Sequence, residues 1–184
     1  MSRQNDLDLL FEYTKSDSLR KHALAVESAM RAYAKKYGED AEVWGTVGLL
    51  HDFDYEKYPS FPDHPTKGSA ILKDRGYSEE VRTTILSHVP AMNVPRETRM
   101  AKTLFACDEL CGFIAAVAVI RPNKIADLQA SSVKKKLKDK AFARSVSRED
   151  IYQGNEELGT PLDEHIAFVI QAMKESAGDL GLTA

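Results

Sequence analysis

Apolar residues recur at intervals of three and four along almost the whole chain, and clean two-residue alternation is nearly absent. That periodicity predicts an all-α fold. Residues 6–14 read as a first helix. A second follows Ser16 or Asp17 and runs to Tyr37, where Gly38 supplies a stop, with Leu19, Val26, Met30, Tyr33 and Tyr37 as its apolar stripe. Asp40 suits the cap of a third helix through Trp44, Val47 and Leu50. The prolines at 59, 62 and 65 then mark a loop. Further helices are predicted over 65–75, 78–89 and 97–120, the first ending at Gly76, the second opening on Ser78 before Glu79 and Glu80, and the third broken by Pro122. A basic segment over 131–144 leads to helices over 148–158 and 161–176, where Pro161 suits a first helical position.

Composition narrows the class. The chain has 184 residues, 43% of them hydrophobic and 29% charged, which suits an ordinary globular domain and excludes a collagenous or wholly disordered chain. A single domain is expected, because no Gly-, Ser- or Pro-rich linker separates its parts. With 25 Lys and Arg against 28 Asp and Glu, the formal charge of −3 offers no match to a nucleic-acid polymer. The N-terminal residues lack the basic and apolar regions of a secretory signal, and the apolar run 110–120 is about half of what a membrane span needs. Cys107 and Cys111, four apart in that helical pattern, read as small core hydrophobes in a reducing, cytoplasmic setting.

The chemistry concentrates in a few residues. Four of the five histidines, His22, His51, His64 and His88, fall within residues 22–88, and His51 is followed directly by Asp52. His22 shares the stripe of Leu19 and Val26, His88 follows Val81 and Ile85 at helical spacing, and Asp108 follows Met100 and Leu104. Inward histidines and an inward aspartate are best satisfied together by a divalent metal ion. His165, beside Asp163 and Glu164, reads instead as a hydrogen-bonded histidine without a metal role. Asp54 and Glu56 read as solvated loop acids, and Tyr55, Tyr58 and Phe61 as pins for the loop rather than a stacking surface.

The order His22, His51-Asp52, Asp108, with the dipeptide closing the apolar run Val47-Gly48-Leu49-Leu50, resembles the HD-domain superfamily of metal-dependent phosphohydrolases. His64-Pro65-Thr66-Lys67-Gly68 and His88 are similar to the H-P-x-x-G and H elements of HD proteins that hold two metals, although the GYP element of the cyclic-dinucleotide phosphodiesterases is absent. The resemblance implies an HD helical bundle over about 17–120 with an added C-terminal helical layer over 121–184. It implies a first metal on His22, His51, Asp52 and Asp108, and a second on His64 and His88 with Asp52 bridging. One or two ions of Fe, Mn, Co or Mg suit such mixed ligands. The implied reaction is hydrolysis of a phosphoester or phosphoanhydride of a small metabolite, a nucleotide or dinucleotide foremost, with Asp52 central to catalysis; a di-iron oxygenase and a non-catalytic binding module are the alternatives. Lys67, three residues after His64, is a candidate to meet a phosphate oxygen. Arg121, Lys135 and Arg144 are further candidates for phosphate contacts.

Overall fold

The computed structural model describes residues 2–184, and among them there are helices and turns but no strand. Ten α-helices follow in order: α1 (Arg3–Tyr13), α2 (Asp17–Tyr37), α3 (Ala41–Leu50), α4 (Asp63–Asp74), α5 (Glu79–Ser87), α6 (Arg99–Val119), α7 (Ala130–Leu137), α8 (Arg148–Leu158), α9 (Leu162–Glu175) and α10 (Ala177–Leu180). Local chemistry accounts for most of the boundaries. Ser16, Asp40, Ser78, Thr98 and Ser147 each turn a side-chain oxygen onto a free N–H of the first helical turn. Gly38 and Gly159 close α2 and α8 in the left-handed conformation that side-chain-bearing residues avoid. Helix α1 starts three residues before the expected position because Ser2 caps it. Within the basic segment only α7 is helical, and the following residues form turns.

Helix α6 lies at the centre. Leu104, Cys107, Leu110, Cys111, Phe113, Ile114 and Val117 are all buried, so it is apolar on nearly every side, as a helix surrounded by others must be. Helix α2 packs against α6 and α3 with Val26, Ala29, Met30 and Tyr33 fully enclosed. The approach of α3 to α2 depends on Gly48: a Cβ there would stand 2.9 Å from the Glu27 backbone. Gly154 does the same for α8, where a Cβ would stand 2.7 Å from Ala106 Cα of α6. Such backbone-to-backbone contacts bring the C-terminal end of α3 against α2 and α6, and that is where the histidines converge. Helix α9 packs on α2 and α7 through Ile166, Val169, Ile170 and Met173, members of the same continuous core as the N-terminal helices.

His165, on α9, belongs to that core. The Tyr33 hydroxyl donates to its Nδ1 at 2.6 Å and its Nε2 donates to the Ala106 carbonyl at 3.0 Å, which fixes the neutral tautomer. Burial holds its pKa down to about 4, as expected for a histidine with no acidic partner.

Candidate metal centre

Four imidazoles and two carboxylates meet where α2, α3, α4, α5 and α6 converge. His22 comes from the middle of α2 and Asp108 from the middle of α6, 3.0 Å apart at Nε2 and Oδ1. His51 caps the end of α3, with Nε2 3.2 Å from His22 Nε2 and 3.3 Å from Asp108 Oδ1. Two imidazole nitrogens that close, both facing a carboxylate oxygen, share one focus. Asp52 follows in the next turn. Its Oδ2 lies 3.6 Å from His51 Nε2, while its Oδ1 lies 3.2 Å from His64 Nε2 and 3.1 Å from His88 Nε2. Two ligand groups result: His22, His51, Asp52 and Asp108, and Asp52, His64 and His88, each with its donor atoms within 4.8 Å of one another. Asp52 is the member common to both, so the structure brings the six candidate ligands together.

The orientation of the rings comes from their outer nitrogens. His51 Nδ1 donates to the Gly48 carbonyl at 2.8 Å, and His88 Nδ1 to the Ile85 carbonyl. His64 sits where α4 departs from helical geometry, at ψ 129°, which swings its ring away from the helix and toward the centre. Its Nδ1 lies 2.8 Å from Asp54 Oδ1, and the other Asp54 oxygen accepts from Gly68 N–H at 2.9 Å. Asp54 is thus corrected from a solvated acid to a buried one that holds His64 and the start of α4. Gly68 makes room for it, since a Cβ there would stand 2.6 Å from Asp54 Cγ. Outward Nδ1–H bonds of this kind leave the Nε2 lone pairs free to face a cation.

The electrostatics fit such a cation. Burial alone would lower the His51 pKa, but Asp52 and Asp108 outweigh it and hold the imidazole at about 9; Asp52 and Asp54 do the same for His64. Burial would raise Asp52 and Asp108, yet His51 and the neighbouring imidazoles keep both well below the usual carboxylate range. Without metal, the neighbouring carboxylates thus favour the protonated forms of His51 and His64. Nitrogen and oxygen donors without thiolate suit Fe, Mn, Co or Mg.

A consequence can be measured. Because His51 and His64 hold their protons below about pH 9 and a metal requires them neutral, binding near pH 7 should release protons, and affinity should rise with pH by up to tenfold per unit for each proton displaced. Calorimetric titration with Mn in buffers of different ionisation enthalpy reads that release directly. A binding heat independent of buffer would show that the imidazoles are already neutral.

The centre forms the floor of a cavity of about 400 Å³. Tyr55, edge-on to His64 at 5.3 Å, and Phe105 stand in its walls, together with Glu109, Ser145, Val146 and Asp150. Val146 and Ser145 belong to the turn segment after α7, and Arg148 secures that segment. Its guanidinium donates to the carbonyls of Asp139, Phe142, Ala143 and Val146 and stacks on Phe113, 4.8 Å from the ring centre. Glu109 accepts from Ser147 N–H at 3.0 Å, and burial, followed by the nearby Asp108, raises its pKa to about 7.

Four predicted phosphate contacts lie elsewhere. Lys67 reaches back one helical turn to Asp63 at 2.7 Å and covers the Tyr58 ring, half-exposed and outside the cavity. Arg121 pairs with Asp127 at 2.8 Å and, with Lys135, lines a separate cavity beside Ile120 and Asp139. Arg144 is exposed and does not line the cavity. Glu56 accepts from the N–H groups of Lys15 and Ser16 and so fixes the turn between α1 and α2. The wall residues Glu109 and Asp150 were not anticipated. An acid directly after Asp108, in a helix otherwise apolar, was the one available signal for Glu109; for Asp150, in the first turn of a polar helix, there was none.

The HD-domain family model matches residues 19–112, slightly more than half of the chain and the full span from α2 to the middle of α6. The chain belongs to the HD-domain family, whose members are commonly metal-dependent hydrolases. No curated protein and no solved structure matches it. No helix among the described residues is long and apolar enough to cross a membrane.

Proposed function

We propose that the protein is a metal-dependent phosphohydrolase that cleaves a phosphoester bond of a small phosphorylated metabolite. The observation that carries this reading is the sharing of Asp52 between two adjoining ligand groups on the floor of a cavity large enough for a small metabolite. Divalent ions bound there would supply a water nucleophile at neutral pH and positive charge for the phosphoryl oxygens. The chain's own residues do the rest. His22, His51, Asp108 and one oxygen of Asp52 would hold one ion, and the other oxygen of Asp52 with His64 and His88 a second. Gly48, Asp54 and Ile85 keep the outer ring protons in place, so that little reorganisation accompanies binding. Asp52, between the two groups, is the residue on which the chemistry is centred. The unpaired, buried Cys107 and Cys111 are consistent with a cytoplasmic setting.

The test is release of phosphate from a panel of phosphomonoesters, nucleotides and dinucleotides by protein reconstituted with Mn. Release that stops on chelation and returns with Mn is expected. Protein shown to carry metal but inert toward every ester would defeat the reading, and oxygen consumption by the Fe-loaded form would replace it with the di-iron oxygenase.

A further inference from the structure

The walls of the cavity contain carboxyl groups and no Lys or Arg among the described residues. Of the basic groups predicted to meet phosphate, Lys67 and Arg121 are paired with acids elsewhere, and Lys135 and Arg144 do not line the cavity. Arg96 stacks on the wall residue Phe105 at 3.7 Å but is held by both oxygens of Glu157, at 2.7 and 2.6 Å. Glu109 and Asp150 line the same cavity as the metal ligands, Glu109 directly after Asp108. Glu109 has one oxygen on Ser147 N–H, and the Asp150 carboxylate accepts no hydrogen bond from the described residues. The N-terminus of α8 contributes only about half a positive charge on this side.

Charge bookkeeping then limits the substrate. Two divalent ions would bring four positive charges, of which Asp52 and Asp108 cancel two, and Asp54 on His64 with the wall acids Glu109 and Asp150 lowers the surplus further. What is left suits at most one phosphoryl group, and a second would have to face carboxyl oxygens.

Resting on the hydrolase reading above, we propose that the substrate is a phosphomonoester whose organic part carries hydrogen-bond donors, ammonium or hydroxyl, that Glu109 and Asp150 accept. Its single phosphoryl group lies on the metal centre. Diphosphates, triphosphates and phosphate-bridged dinucleotides are disfavoured. Glu109 and Asp150 thus determine which substrate is held, while the six metal ligands determine what is done to it.

Calorimetry on the full chain loaded with Mn tests this without requiring turnover. Phosphoethanolamine and glycerol phosphate are expected to bind about tenfold or more tightly than ethyl phosphate, which has the same phosphoryl group and no donor. Pyrophosphate is expected to bind no more tightly than inorganic phosphate. The order of phosphoethanolamine and glycerol phosphate distinguishes ammonium from hydroxyl. In the double variant Glu109→Gln with Asp150→Asn, in which the amide oxygen at position 109 can still accept from Ser147 N–H, the donor preference should shrink to about threefold or less while ethyl phosphate binds no more weakly than before. Equal affinity for ethyl phosphate and the donor-bearing esters, tighter binding of pyrophosphate than of phosphate, or no binding of any phosphate compound would overturn the inference. The two readings fail separately: the predicted binding order with no ester cleaved removes the hydrolase and keeps the ligand class, whereas cleavage that favours diphosphates does the reverse.

Discussion

Replacing Asp52 with Asn is expected to leave the protein unable to hold metal in either half of the centre and to lower phosphate release roughly a thousandfold or more, corresponding to about 4 kcal/mol of transition-state stabilisation. The size follows from its position. One Asp52 oxygen faces His51 and the other faces His64 and His88, so a neutral amide removes an anionic ligand from both groups at once. The amide keeps the shape of the side chain, but it leaves imidazolium protons on His51 and His64 without the charge that stabilised them. Metal-free protein should therefore also lose stability, by roughly 3 kcal/mol if the cost resembles that of breaking a buried pair. Metal analysis of purified protein beside the rate of phosphate release makes the comparison. An Asn variant that retains two ions would sink the bridging role.

His64→Ala and His88→Ala are expected to reduce the metal content from about two ions to one, because His22, His51, Asp108 and Asp52 remain to hold the first. Activity should fall by more than tenfold in each, and by much more than folding stability, since the second ion acts on charge that develops during the reaction. If these histidines only steered the first group, the count would not change and affinity would drop roughly 10- to 100-fold. Metal quantification after anaerobic reconstitution with Fe or Mn separates the two. A wild-type stoichiometry that never exceeds one would defeat the two-ion arrangement.

The all-α class and most helix ends could be read along the chain because each rests on local signals, whereas the set of six candidate ligands also needed the family resemblance carried by His51-Asp52 and His64-Pro65. Ser16, Asp40 and Ser78 cap within one turn of themselves, and His22, His88 and Asp108 betray their inward aim through the apolar residues one turn away. What escaped was set by contacts between distant segments. Asp54 appears as a loop acid until α4 folds back and places His64 and Gly68 on its two oxygens. Lys67 follows His64 at a spacing that promised a shared face, but His64 stands outside helical geometry, so the two do not share one, and Asp63 claims the ammonium at i−4. Asp150 joins the cavity only because Gly154 lets α8 settle against α6. Periodicity reports which face of a helix is inward, not which neighbour it will meet.

His51 and His88 occupy the last positions of their helices, and each ring donates to the carbonyl three residues back, Gly48 and Ile85, where the backbone ladder is running out of donors. Each is ligand and terminator in one. Loss of either imidazole would free a buried carbonyl and loosen the final turn of α3 or α5, so chemical decay of this centre cannot be silent: a descendant that discards the metal must also find another way to finish two helices. Replacements able to donate from the same place, such as Asn or Gln, are the ones through which this chain could lose the imidazoles while keeping its shape.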